Sequence, residues 1–167
     1  MGIRSAVSLA LAAGLICPVV SAKISTAEIA QYQYGVDVPE CNIKFSDGSE
    51  IQFDGLFANN NSIFFEIINL VVPTTESFSV GKLVQLEMNG ELWPAKIVRV
   101  QRGYVTVATE ATLLGDLWFS GDEGSLALFE PQGRRISFFF SVPGDLEEAR
   151  KKLSEGRTCY QYALNSH

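Results

Sequence analysis

Histidine is nearly absent: the one His stands at the last position, His167. A Ser-His-Asp triad, a Cys-His pair or a His-ligated metal would have to be built on the chain terminus, which excludes most histidine-based catalysis. Basic residues are short as well, with 13 Lys+Arg against 19 Asp+Glu and a formal net charge of −6. Phosphate neutralisation needs a basic face, so this balance argues against nucleic-acid binding. Cysteine is limited to three residues without a C-x-x-C pair, and no internal repeat, low-complexity segment or interdomain linker interrupts the chain. What remains, 47% hydrophobic and 19% charged residues over 167 positions, is the composition of one globular domain.

The longest apolar run lies at the N-terminus. Arg4 precedes an apolar run from Ala6 to Ile16, Pro18 breaks it, and Val20-Ser21-Ala22 supplies the small residues of a signal-peptidase site before Lys23. The uncharged stretch reaches only the lower limit of the roughly 18–20 residues that span a bilayer. Residues 1–22 are therefore expected to be a signal peptide and 23–167 the mature domain, periplasmic or secreted, with no stable membrane span after cleavage. A lipoprotein site at Cys17 is the alternative, opposed by the bulky Leu15-Ile16 before it.

Cleavage leaves Cys41 and Cys159, an even count in an oxidising compartment, and one disulfide is expected between them. Closing so long a loop is worth on the order of 4–5 kcal/mol in the chain-entropy view. Both cysteines fall in segments that read as strands.

Most of the chain alternates with the two-residue period of strands. Asn42–Phe45 and Glu50–Phe53 flank an Asp47-Gly48 turn, Ile63–Val72 is more continuously apolar, and Leu83–Glu87 and Glu91–Val100 flank Asn89-Gly90, a two-residue hairpin signal. Pro94 places the last of these near an edge or a bulge. Tyr104–Ala108, Ser125–Phe129 and Arg135–Val142 add strands. Ala111, Leu114 and Trp118 fall at helical spacing, as do Leu146, Ala149 and Leu153. The expected fold is mainly β: an antiparallel β-sandwich of seven to nine strands, a short helix near 111–118, and a C-terminal helix near 145–154. Gly156 is expected to close that helix and Thr158–Ala163 to form a last strand.

From Val105 onward the order is strand, Leu113-Leu114 with Leu117, Gly121, strand Leu126–Phe129, a Gly133 turn, strand Ile136–Val142, then Gly144 with Ala149 and Leu153 on a helix. This order resembles the C-terminal half of the invasion-associated locus B family, small exported bacterial proteins with a β-sandwich core. Ser141-Val142-Pro143-Gly144-Asp145 stands where the family has a Ser-Leu-x-Gly-Phe-like sequence. Val142 and Asp145 depart from it, and the family's cysteines in the preceding segment are missing. The resemblance implies an envelope location and a link to host interaction or virulence, and it carries no catalytic residue across.

Several residues are candidates for chemistry or binding. Trp93 and Tyr104 flank Lys96, Arg99 and Arg102, the aromatic-arginine mixture of protein-binding hot spots. An unpaired edge at Pro94 would accept a partner strand. Phe139 points to the opposite face from Phe138 and Phe140, so one face of that strand is a candidate apolar patch. Asp47, Glu50, Asp54 and Glu66 offer carboxylates near turns, but Asp47 is explained by its turn and Glu50 by a polar strand face. Asn59-Asn60-Asn61 lacks the alternating acidic spacing of a calcium loop. No catalytic residue, cofactor or metal site is assigned. The expected function is non-enzymatic binding of a protein partner through Trp93, Arg99, Arg102, Tyr104 and Phe139; the alternative is a periplasmic inhibitor or immunity protein that blocks a hydrolase such as a cell-wall lytic enzyme.

Overall fold

A computed structural model describes residues 23–35, 37–88, 90–114, 123–129, 133–141 and 146–166, with 123–129, 136–141, 146 and 149 described through their backbone. Among the described residues eight strands follow one another: β1 (Ile43–Lys44), β2 (Glu50–Ala58), β3 (Phe64–Pro73), β4 (Leu83–Met88), β5 (Glu91–Gln101), β6 (Tyr104–Glu110), β7 (Glu123–Phe129) and β8 (Arg135–Ser141). Helix α1 (Thr26–Gln31) precedes them, a 3-10 turn (Pro39–Cys41) introduces β1, and helix α2 (Leu146–Asn165) follows β8. The protein is thus mainly β and antiparallel, with a C-terminal helix, as the periodicity predicts. The β1–β2 hairpin turns where expected, with Gly48 at φ +85° and Asp47 Oδ1 accepting from Ser49 N at 2.8 Å. Gly90, at φ +82°, sits in the turn between β4 and β5.

The strands share one sheet in the order β1-β2-β3-β6-β5-β4-β7-β8. β3 and β8 have four strands between them in that order, yet parts of them come within 8 Å. The sheet therefore coils over its own core, and the layering expected of a sandwich is built from one curled sheet. Right-handed twist favours this curl, and bulges at Phe53/Gly55 and Ile97/Arg99 add local bends.

Each face of the sheet buries a cluster. Ile51, Phe53, Ile68, Leu70, Leu86, Ile97 and Val107 form the main core with Leu113 and Tyr160. On the other face Ile24, Ile29 and Tyr32 cover Phe65, Ile67 and Ala108. The Lys23–Tyr32 strap is held by polar contacts that the sequence reading did not foresee. Ser25 and Glu28 make a reciprocal capping box, the buried Glu110 accepts from Ile24 N at 2.8 Å, and Lys96 Nζ donates to the carbonyls of Ala30 and Tyr32 at 2.9 and 2.7 Å.

Three expectations are corrected. α2 does not end at Gly156 but runs on to Asn165, so Thr158–Ala163 is helix and not a strand. A Cβ at Gly156 would stand 3.0 Å from both the Cys41 carbonyl oxygen and the Phe53 ring, so this glycine serves close helix–sheet approach and not helix termination. Neither cysteine lies in a strand: Cys41 ends the 3-10 turn and Cys159 lies in α2, and the disulfide joins them across a Cα separation of 5.5 Å. Finally, of the edge or bulge expected near Pro94 the edge is not found: β5 lies between β6 and β4, and its bulge falls at Ile97/Arg99. Pro94 is accommodated because residue pairing with β6 begins only at Lys96, and its carbonyl accepts from Thr109 Oγ1 at 3.1 Å. The short helix expected near 111–118 is a turn at Ala111 and Thr112 and helical at Leu113 and Leu114, and 115–118 lie outside the described residues.

Candidate functional site

The curled sheet separates the residues singled out in the sequence. Trp93 is 6% exposed and belongs to the main core, with the Lys23 ammonium 3.5 Å from its ring centroid. Arg99 is committed internally: it donates to Tyr34 Oη at 2.6 Å, stacks on that ring, and pairs with Asp37 at 3.4 Å. These contacts pin Tyr34 and Asp37 to the sheet. Arg102 and Tyr104 share the exposed β5–β6 turn. Phe139 stands opposite Ser125 on β8, and its side chain lies outside the described residues. Trp93 and Arg99 are therefore core and clamp, and only Arg102 and Tyr104 remain together at the surface. At Pro94, which pairs with β4 alone, the carbonyl is taken by Thr109 Oγ1, so the position is no open edge for a partner strand.

The acidic candidates are also distributed. Glu50 accepts from Asn42 Nδ2 at 2.6 Å and Gln52 Nε2 at 2.9 Å. Asn59 organises the β2–β3 hairpin, its Oδ1 accepting from Asn61 N and Ile63 N, both at 2.9 Å, while its amide donates to Glu28. Asp54 accepts from Gly35 N and Asn69 Nδ2, both at 3.0 Å. Burial raises its carboxyl above the usual carboxylate range, against the two hydrogen bonds. Burial, with Asp54 nearby, also pushes the Tyr160 phenol up to about 12. Among the described residues no group of three His, Cys, Asp or Glu is placed to hold a metal ion.

A groove lies where α2 crosses the β2–β3 arm. It has a volume of about 430 Å³ and is lined by Phe53, Leu56, Glu66, Arg157, Tyr160 and Leu164 among others. β2 and β3 bring Leu56 and Glu66 into register, which places both side chains on the α2 face. There Glu66 accepts from Arg157 Nε at 2.6 Å and Nη2 at 3.0 Å, a forked pair that ties helix to sheet. Around it Leu56 is 72% exposed and Leu164 45%, while the exposed Phe64 stands opposite Ala58 nearer the hairpin end. Sequence reasoning missed this site because Leu56 and Leu164 both fall just beyond the strands expected there, Glu50–Phe53 and Thr158–Ala163. The signal that would have found it is the continued spacing Leu153, Gly156, Tyr160, Ala163.

No protein-family model matches the chain, and no curated protein or solved structure matches it.

Proposed function

We propose that this chain is an exported envelope or periplasmic protein that acts by binding another protein and not by turnover. The observation that carries the reading is the groove between α2 and the β2–β3 arm, where Leu56 and Leu164 are exposed around one ion pair. Clustered exposed side chains of this size mark interaction sites more often than isolated ones do. Export is supported by the three-part signal pattern of residues 1–22 and by the Cys41–Cys159 disulfide, a bond that persists in oxidising compartments. Among the described residues no helix is long and apolar enough to cross a membrane. The resemblance of the C-terminal half to the invasion-associated locus B family extends the proposal to host interaction.

Cross-linked affinity capture of the Lys23–His167 chain from its native envelope tests this reading, with mass spectrometry of the captured species. One stoichiometric protein partner is expected, and a hydrolase silenced by binding would make the protein an inhibitor. Recovery of no protein, together with turnover of a small substrate, overturns it.

A further inference from the structure

Hydrogen-bond direction along β2 identifies which of its backbone groups lack a strand partner. Asn59 N donates to Ile63 O at 3.0 Å, so the residue pair that closes the β2–β3 hairpin is a hydrogen-bonded one. Such pairs alternate with pairs that aim their N–H and C=O outward. Phe57 opposite Phe65 is then hydrogen-bonded, whereas Ala58 opposite Phe64 and Leu56 opposite Glu66 point away from each other. The β3 side bears this out, because the Glu66 carbonyl faces away from β2 and accepts from Ala111 N at 2.7 Å. On the β2 side, β1 pairs only with Glu50 and Ile51. Tyr34 Oη and Gly35 N meet β2 at the Gln52 and Asp54 side chains. Among the described residues nothing pairs with the outward amides and carbonyls of Leu56 and Ala58.

This edge also lacks what usually protects one. Gly55-Leu56-Phe57-Ala58 has no charge and no proline, the residues that blunt exposed strands. We infer that the outer edge of β2 over Gly55–Ala58 receives an extended segment of a partner protein, added antiparallel or parallel as a further strand, with an aliphatic side chain in the groove beside Leu56 and Leu164. The inference rests on the binding reading above and assigns it a place and a ligand class. Only an extended chain presents N–H and C=O at the two-residue repeat of this edge. Every second side chain of that strand faces α2, where Leu56, Leu164 and the Tyr160 ring line the groove. A second copy of this chain is the poorer fit, because a four-residue edge lies far below the roughly 800 Å² per partner of a standard association between folded surfaces.

The test is site-specific photo-crosslinking of the full chain in its native cells, with benzoylphenylalanine at Ala58 and, separately, at Arg102. The expected result is an adduct at position 58 to one segment with alternating apolar residues. Leu56→Pro, which removes an outward N–H that an edge strand does not use internally, and Leu56→Lys should each lower that adduct by about tenfold. Adducts at position 102 but not 58 overturn the edge while leaving the binding reading standing. Adducts at neither position overturn both, and an adduct to another copy of the chain overturns the proposed partner. Should Leu56→Pro fail to fold, amide exchange of the unaltered protein decides: Leu56 and Ala58 amides are expected to exchange much faster than those of Gly55 and Phe57, and equal protection overturns the inference.

Discussion

Asp54 shows how one side chain can carry both a structural tether and a cost. Its Oδ2 accepts two hydrogen bonds, but Oδ1 is buried without a partner, and so is Oδ1 of the neighbouring Asn69. Because burial raises its carboxyl pKa, the folded protein holds this proton more tightly than the unfolded chain. The resulting stabilisation is complete below the ordinary value of 3.8 and is lost as pH rises through the raised folded value. Asp54→Asn removes the charge, keeps an acceptor for Gly35 N, and supplies an N–H toward the unpaired Asn69 oxygen. The variant is expected to be more stable than the parent at pH 7, by about 1 kcal/mol or less once solvent screening at a partly exposed carboxyl is allowed for. Urea unfolding at pH 7 and pH 3.5 checks this, with the advantage confined to the higher pH.

At the scale of elements, hairpins were legible and helices only in part. Asp47-Gly48 and Asn89-Gly90 select their turns locally, so β1–β2 and β4–β5 could be read without knowing the rest of the fold. Helix α2 was cut short because Gly156 looks like a stop and Thr158-Cys159-Tyr160 looks like a strand, whereas the glycine is required by the approach of Cys41 and Phe53, residues more than a hundred positions away. The same non-local logic hid α1. A six-residue helix is marginal alone, and its C-terminal carbonyls at Ala30 and Tyr32 are satisfied by Lys96 from β5. A cation at a helix C-terminus adds the favourable macrodipole contact. Lys96→Met keeps the aliphatic stem and deletes both bonds, so it is expected to cost about 1–2 kcal/mol and to speed amide exchange across Thr26–Tyr32 ahead of the sheet. Uniform exchange across strap and sheet would show that the strap does not depend on this lysine.

For the whole molecule, the mainly-β class follows from strand periodicity, but the strand order does not, since nothing local places β4 beside β7 or brings β8 back toward β3. The candidate site was less legible still, because Trp93 and Arg99 have the composition of a binding surface and the burial of a core and a clamp. Long-range closure falls to the Cys41–Cys159 disulfide, 118 positions apart, which fixes α2 beside the 3-10 turn and β1. Without it α2 is held by Leu153, Gly156, Tyr160 and the exposed Glu66–Arg157 pair, and exposed ion pairs contribute at most about 1 kcal/mol. Restoring the denatured chain's freedom is worth on the order of 4 kcal/mol for a loop of this length. That corresponds to a fall in thermal midpoint of about 10 °C at this chain size. The Cys41→Ser/Cys159→Ser double variant is expected to show that fall while keeping the far-UV signature of the sheet, and α2 amides should exchange before those of β3 and β6. Calorimetry with and without dithiothreitol checks the assignment: the parent should lose the same stability on reduction, and the double variant should be indifferent to the reductant.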